Sequence, residues 1–360
     1  MTTTLSSLPP EGLHLYCPVP LREHPAGGQA FDEAGAAWAV EQGLCAPGSR
    51  LTRMNVGALI AHGMPFVTQA AGVAMTCYSY WAFKWDDHLD TLTSSLARTA
   101  ALTGEANRVL YEPPDAPLPR DPFLSSLRHL RKQMEECLGT DGMEAVRAEN
   151  THWLGGQLWK VALQSAGTAA PTVGEYLRMR WSKAGAGVLA AYTAPGAGYV
   201  MTPAELYDPL VRAFTQATFY PCLIINDLGS LAKEAQENGD VNLFSALAAE
   251  QSLDTATALL RAAELYERIL CLMLRLQQRL LKDPRPAVAR YAAELPQWIP
   301  ATIDFTAASA RYLTTEATSD NNPAALPTLT PSPTPLLWDP DDPTPPPYAD
   351  IAWMWRHLNP

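Results

Sequence analysis

Helical periodicity runs through nearly all of this chain, and no stretch shows sustained period-two alternation with β-branched enrichment. Apolar residues recur at helical spacing over roughly 31–43, 54–90, 93–111, 121–138, 142–166, 173–192, 203–238, 241–248, 253–282, 286–294 and 298–316. Turn chemistry separates these segments, as at Gly48-Ser49 and Glu112-Pro113-Pro114-Asp115. Such a chain has to bury its apolar stripes helix against helix, so the expected fold class is all-α, a single helical bundle. Many segments are small and apolar nearly all round, which suits buried helices lining a central apolar cavity.

The flanks of this pattern differ from its middle. Residues 1–30 are rich in Pro and Gly and are expected to be extended, with Tyr16-Cys17-Pro18-Val19-Pro20 laid over the core. Residues 31–317 form the expected helical domain. Prolines crowd residues 318–360 and exclude helix from most of that tail. Its end is apolar, and Ile351, Trp355 and Leu358 fall at i, i+4 and i+7, as one helical turn that docks would require. A tail with little order is the competing expectation.

Two sets of oxygen-bearing side chains interrupt the apolar pattern. Asn226, Ser230 and Glu234 recur at i, i+4 and i+8 and drift only about 80° around a helix, so they share one face. Asp86 and Asp90, in Asp86-Asp87-His88-Leu89-Asp90, form a second pair at i and i+4. Carboxylates at this spacing usually mark a solvated face. Here one set follows Tyr78-Ser79-Tyr80-Trp81-Ala82-Phe83-Lys84-Trp85 and the other follows Phe219-Tyr220-Pro221-Cys222-Leu223-Ile224-Ile225. Acidic groups at the ends of core helices need a counter-charge, and hard oxygen donors of this kind suit Mg²⁺ or Mn²⁺. His88 is expected to point off the Asp86/Asp90 face.

The net charge of −11 argues against a nucleic-acid partner, although an acidic protein binds an anionic diphosphate when metal ions stand between them. The six cysteines are scattered without a CxxC pair and read as reduced thiols. The first residues lack the basic and apolar regions of a signal peptide, and no apolar run approaches the roughly 18 to 20 residues of a membrane span. A cytoplasmic protein without an integral membrane segment is expected.

With both oxygen faces in view, the chain resembles the class I terpene synthases of bacterial type. Asp86-Asp87-His88-Leu89-Asp90 matches the aspartate-rich DDxxD motif, and Asn226-Asp227 with Ser230 and Glu234 matches the second metal motif, with Lys233 in the usual basic place. Arg311-Tyr312 matches the Arg-Tyr pair near the end of the last helix. Tyr176-Leu177-Arg178-Met179-Arg180 resembles the segment that carries a diphosphate-sensing arginine; Arg180 fits better and Arg178 is the alternative. The resemblance covers residues 15 to 315. Two positions depart from it. Lys183 and Ala184 stand where the family often has an acidic or hydroxyl linker and a Gly whose carbonyl faces the substrate, and Phe305 stands where Trp is frequent.

The resemblance implies a terpene cyclase, a carbon–oxygen lyase that ionises a linear isoprenoid diphosphate. Farnesyl diphosphate is the favoured substrate, with geranylgeranyl diphosphate close behind. Asp86 and Asp90 would hold two Mg²⁺ ions, and Asn226, Ser230 and Glu234 a third, with Mn²⁺ able to substitute. Arg180, Lys233, Arg311 and Tyr312 would contact the diphosphate, while Phe83, Phe219, Phe305 and Ala184 would face the hydrocarbon. The expected partner is therefore a small molecule, with a homodimer allowed. The alternatives are a prenyl diphosphate synthase, which typically has a second aspartate-rich motif where this chain has Asn, Ser and Glu, and a non-catalytic helical binding protein.

Overall fold

The computed structural model describes residues 13–92, 95–113, 115–166, 171–236, 241–309 and 329–358. In chain order its helices are α1 (Gly28–Glu41), α2 (Val56–Gly63), α3 (Gln69–Asp90), α4 (Leu96–Tyr111), α5 (Pro122–Ala166), α6 (Val173–Lys183) and α7 (Ala186–Gly196). They continue as α8 (Pro203–Leu206), α9 (Pro209–Gln236), α10 (Leu243–Gln251), α11 (Thr255–Leu280), α12 (Pro286–Glu294), α13 (Trp298–Ala308) and α14 (Ala349–Ala352). Two short strands, β1 (Leu13–Tyr16) and β2 (Leu329–Ser332), complete the described elements. The all-α expectation holds for the body.

The helix boundaries show where local chemistry overrides periodicity. The pattern over 54–90 divides in two, because Pro65 cannot continue α2 and the Thr68 hydroxyl caps α3 by accepting from Ala71 N at 3.2 Å. The pattern over 203–238 divides likewise at Asp208, whose carboxylate accepts from Leu210 N at 2.9 Å and Val211 N at 3.3 Å. Helix α1 starts at Gly28, inside the stretch expected to be extended. Helix α5 contains the expected break at Gly139, which has φ 67°. Asn242 caps α10 in a reciprocal capping box with Ser245.

One compact unit comprises Arg22–Thr168 and Met179–Ala204. In it α3 packs on α1 and α5, and α5 on α4 and α7. Trp81 and Trp85 of α3 are fully buried and stack at 5.1 Å between ring centroids, with Trp153 of α5 edge-on to Trp81 at 5.9 Å. Such aromatic pairs contribute about 0.5–1.5 kcal/mol beyond their area. Tyr78 donates to Asn150 at 2.6 Å and Tyr192 to the Ala71 carbonyl at 2.8 Å, so the buried hydroxyls that join α3 to α5 and α7 are satisfied.

The other unit comprises residues up to Leu21, Ala169–Arg178, and Glu205 onward. Helix α9 packs on α11 and α13. A detail beyond the all-α expectation is that β1 and β2 pair in parallel, Leu13 opposite Leu329 and Tyr16 opposite Ser332. Four residues per strand are too few to print a period-two signal. The segment after β2 wraps along α11. Glu267, 2% exposed, accepts from the backbone N–H groups of Leu336, Leu337 (2.6 Å) and Trp338 (2.9 Å), while the Arg268 guanidinium lies 4.0 Å over the Trp338 ring. Ile351, Met354 and Trp355 are buried.

Candidate active site

Trp81, Trp85 and Leu89 recur at i, i+4 and i+8 and turn one face of α3 into the core. Asp86 and Asp90 lie one position further round, on a face that is only partly covered, with side-chain exposures of 28% and 37%. Their Oδ1 atoms are 3.3 and 2.6 Å from one ammonium, that of Lys160 on α5. The Lys160 side chain is 5% exposed. The two carboxylates therefore converge on a point already occupied by a cation. The His88 ring stacks on Phe123 at 4.8 Å, so it does point off this face, and burial pushes its imidazole pKa down against the pull of Asp121.

Lys160 belongs to a stripe that sequence reasoning did not single out. Trp153, Gly156, Gln157 and Lys160 fall at i, i+3, i+4 and i+7 on α5. Trp153 Nε1 donates to the Lys183 carbonyl at 3.0 Å and Gln157 Nε2 to the same oxygen at 2.8 Å. A Cβ at Gly156 would fall 2.4 Å from the Ser182 carbonyl carbon, so only glycine lets α5 come this close to the end of α6. One helical face thus grips both the aspartate pair and the chain at the α6–α7 break. Its signal in the sequence was the helical spacing itself, visible only once a long lysine and a tryptophan are allowed to share a buried face.

The break follows from Gly185, which has φ 68° and ends the run of α6 before α7 begins. Arg180 lies one turn before it and is 7% exposed. Lys183 is buried as well, and Ala184 is half-buried. The Lys183 carbonyl takes two side-chain donors, and the Gly185 carbonyl accepts from Val188 N at 3.0 Å and Leu189 N at 3.3 Å. Between them, among the described residues, the Ala184 carbonyl is the one in the break not engaged in this way. Phe83 of α3 is also only half-buried.

In the unit built around α9, Asn226 is half-buried and Ser230 is 9% exposed, one turn apart. Ser230 Oγ donates to the Asp227 carbonyl at 3.2 Å. Asp227 is 3% exposed and serves as an anchor: its carboxylate accepts from the Tyr176 hydroxyl of α6 and from Leu243 N of α10 at 3.0 Å. Arg178 pairs with Asp350 at 2.8 Å and is 55% exposed, so of the two sensor candidates Arg180 is the buried one. Phe219 of α9 meets Trp298 of α13 at 5.8 Å, and Phe305, one further heptad along α13, is 4% exposed. The backbone of α9 runs on through Lys233 and Glu234, whose side chains lie outside the described residues, as do Arg311 and Tyr312.

The donors of each set suit a hard divalent cation: two carboxylates around a buried ammonium in one unit, and an amide carbonyl and a hydroxyl on α9 in the other. Among the described residues no three His, Cys, Asp or Glu side chains gather into a cage. The aspartates come as a pair, and the second set relies on Asn and Ser.

An all-α body with an aspartate-rich helix end and an Asn/Ser helix face defines a class I terpene synthase fold. The solved structure of a variant of the SVS_A2 protein from ancestral sequence reconstruction matches with a TM-score of 0.80 and 25% identity, over 96% of this chain and 98% of that one. The family model described as terpene synthase family 2, C-terminal metal binding, matches residues 77–270, and the chain belongs to that family. Bonnadiene synthase of Allokutzneria albata is 28% identical over 95% of this chain and 96% of its own length. A germacradien-6-ol synthase of Streptomyces pratensis is 26% identical over 99% of both. The chain is therefore an enzyme of the terpene synthase family with a metal-binding domain. Among the described residues no helix is long and apolar enough to cross a membrane.

Proposed function

We propose that this enzyme is a Mg²⁺-dependent terpene cyclase, a carbon–oxygen lyase that converts a linear isoprenoid diphosphate into a cyclic terpene and diphosphate. The convergence of Asp86 and Asp90 on one buried cation carries the reading, because it marks a place built to hold positive charge. Asp86 and Asp90 would hold two Mg²⁺ ions, and Asn226, Ser230 and Glu234 a third. Bound there, the ions supply Lewis-acid neutralisation of the charge that grows on the departing diphosphate. The chain's own groups do the rest. Arg180, Lys233, Arg311 and the Tyr312 hydroxyl donate to diphosphate oxygens, the arginines with fork geometry. The Ala184 carbonyl presents its dipole to the developing allylic cation, a role its occupied neighbours Lys183 and Gly185 leave to it. Phe83, Phe219 and Phe305 offer ring faces worth about 0.5–2 kcal/mol each to a desolvated cation.

Farnesyl diphosphate is the first substrate to test and geranylgeranyl diphosphate the second. One relative is named for a diene and another for an alcohol, so proton loss and water capture are both to be looked for. The deciding experiment measures diphosphate release from geranyl, farnesyl and geranylgeranyl diphosphates with and without Mg²⁺, with gas chromatography–mass spectrometry of the extract. Mg²⁺-dependent release with a cyclic product from one substrate is the expected result. Longer linear chains that appear only with added isopentenyl diphosphate would make it a prenyl diphosphate synthase instead.

A further inference from the structure

Lysine is rarely buried, because an ammonium removed from water is costly unless opposed by negative charge. Lys160 is 4% exposed and lies against the two carboxylates of the aspartate-rich motif, at 2.6 Å from Asp90 and 3.3 Å from Asp86. Its place is fixed rather than incidental. The same face of α5 is locked to the end of α6 by Trp153 and Gln157, and the Gly156 contact leaves α5 no room to slide. The root of the lysine is therefore set at a fixed place beside the carboxylates.

We infer that Lys160 is a resident counter-ion of the aspartate face, one that holds Asp86 and Asp90 together and opposes divalent cations until an anionic diphosphate arrives. This inference rests on the metal reading given above. Charge counting gives the reason. Replacing Lys160 by a neutral residue makes the aspartate face more negative by one charge toward an approaching cation. An ammonium beside the same oxygens also repels a divalent ion directly, and within a partly desolvated site that repulsion is poorly screened. A diphosphate brings enough negative charge to reverse the balance, so metal loading becomes conditional on substrate. Lys160 is a positioning residue: it acts through Asp86 and Asp90 and not on the substrate.

The test is a Mn²⁺ titration of the full chain without diphosphate, following free Mn²⁺ by electron paramagnetic resonance. Lys160→Gln should bind Mn²⁺ at least fivefold more tightly than wild type, with Lys160→Met as a second neutral variant should Gln impair folding. Lys160→Arg, which keeps the charge, should stay within twofold of wild type. Adding Asp90→Asn to Lys160→Gln should erase the gain. Equal affinity in wild type and both neutral variants, with unchanged circular dichroism, overturns the inference, as does an Arg variant that behaves like the neutral ones. A gain that survives Asp90→Asn overturns it too, since the ion would then bind elsewhere. The catalytic reading fails separately, through absence of Mg²⁺-dependent diphosphate release from wild type even while the titration follows the expected pattern.

Discussion

At the scale of single residues, the aspartate face is tied to the fold through the buried Lys160 ammonium. Asn226→Ala and Glu234→Ala should each cut turnover about 10²-fold or more while leaving helical circular dichroism unchanged. Removing both Asp86 and Asp90 should cost activity and also stability, about 1–3 kcal/mol, because Lys160 then loses two carboxylates that balance it. Chemical denaturation of the two sets of variants, run beside the activity assay, checks that contrast; equal stabilities would mean the ion pair contributes nothing to folding. The thiols give a second residue-scale expectation. Burial pushes Cys77 and Cys222 up to about 12 and Cys17 and Cys271 to about 11, so few of these are thiolates at pH 8. Iodoacetamide at that pH should spare all four in the folded protein and reach all six only in denaturant, as read by mass spectrometry.

At the scale of elements, periodicity in the sequence carries most of the helices, since an apolar stripe at 3.6-residue spacing has few other ways to be buried. The boundaries it misplaces include those decided by a single cap, proline or glycine, at Thr68, Asp208 and Gly185. Both oxygen faces were legible because i, i+4 spacing is a property of one helix. The α5 stripe was not, because Lys160 and Gln157 read as surface residues until α3 and α6 are seen to cover them. Asp227 escaped for a similar reason: its partners Tyr176 and Leu243 lie on other helices. Gly156→Ala probes how much that cross-helix packing matters. The added Cβ meets backbone, which cannot rotate aside, so a loss of about 1–3 kcal/mol is expected together with an altered product ratio. Guanidinium denaturation and product analysis would check the two effects; an unchanged midpoint would show that α5 has slack here.

At the scale of the whole molecule, the segment after residue 328 is the part least legible in advance, since proline content argues against helix without saying where the chain goes. What fixes it is mostly main-chain chemistry: strand pairing with β1, three backbone N–H groups on Glu267, and the Thr344 carbonyl on Arg268 at 2.6 Å. Glu267→Ala leaves those three amides without their acceptor. It should cost about 2–4 kcal/mol and raise hydrogen exchange at Leu336, Leu337 and Trp338, while exchange in α3 and α5 stays as it was. Exchange rates that do not move would assign the hold on this segment to Trp338 and the buried Ile351, Met354 and Trp355 instead.

The pairing of β1 with β2 sets the order of events during synthesis. Most of the helices lie between Leu13 and Leu329 in the chain, so β1 waits without its strand partner while they are made. Until then Tyr16 and Cys17, buried in the finished protein, have no cover from β2. β1 is therefore latched only after Leu329–Ser332 has been made, and a ribosome stalled before residue 329 would hold a nascent chain that is largely helical yet still unlatched.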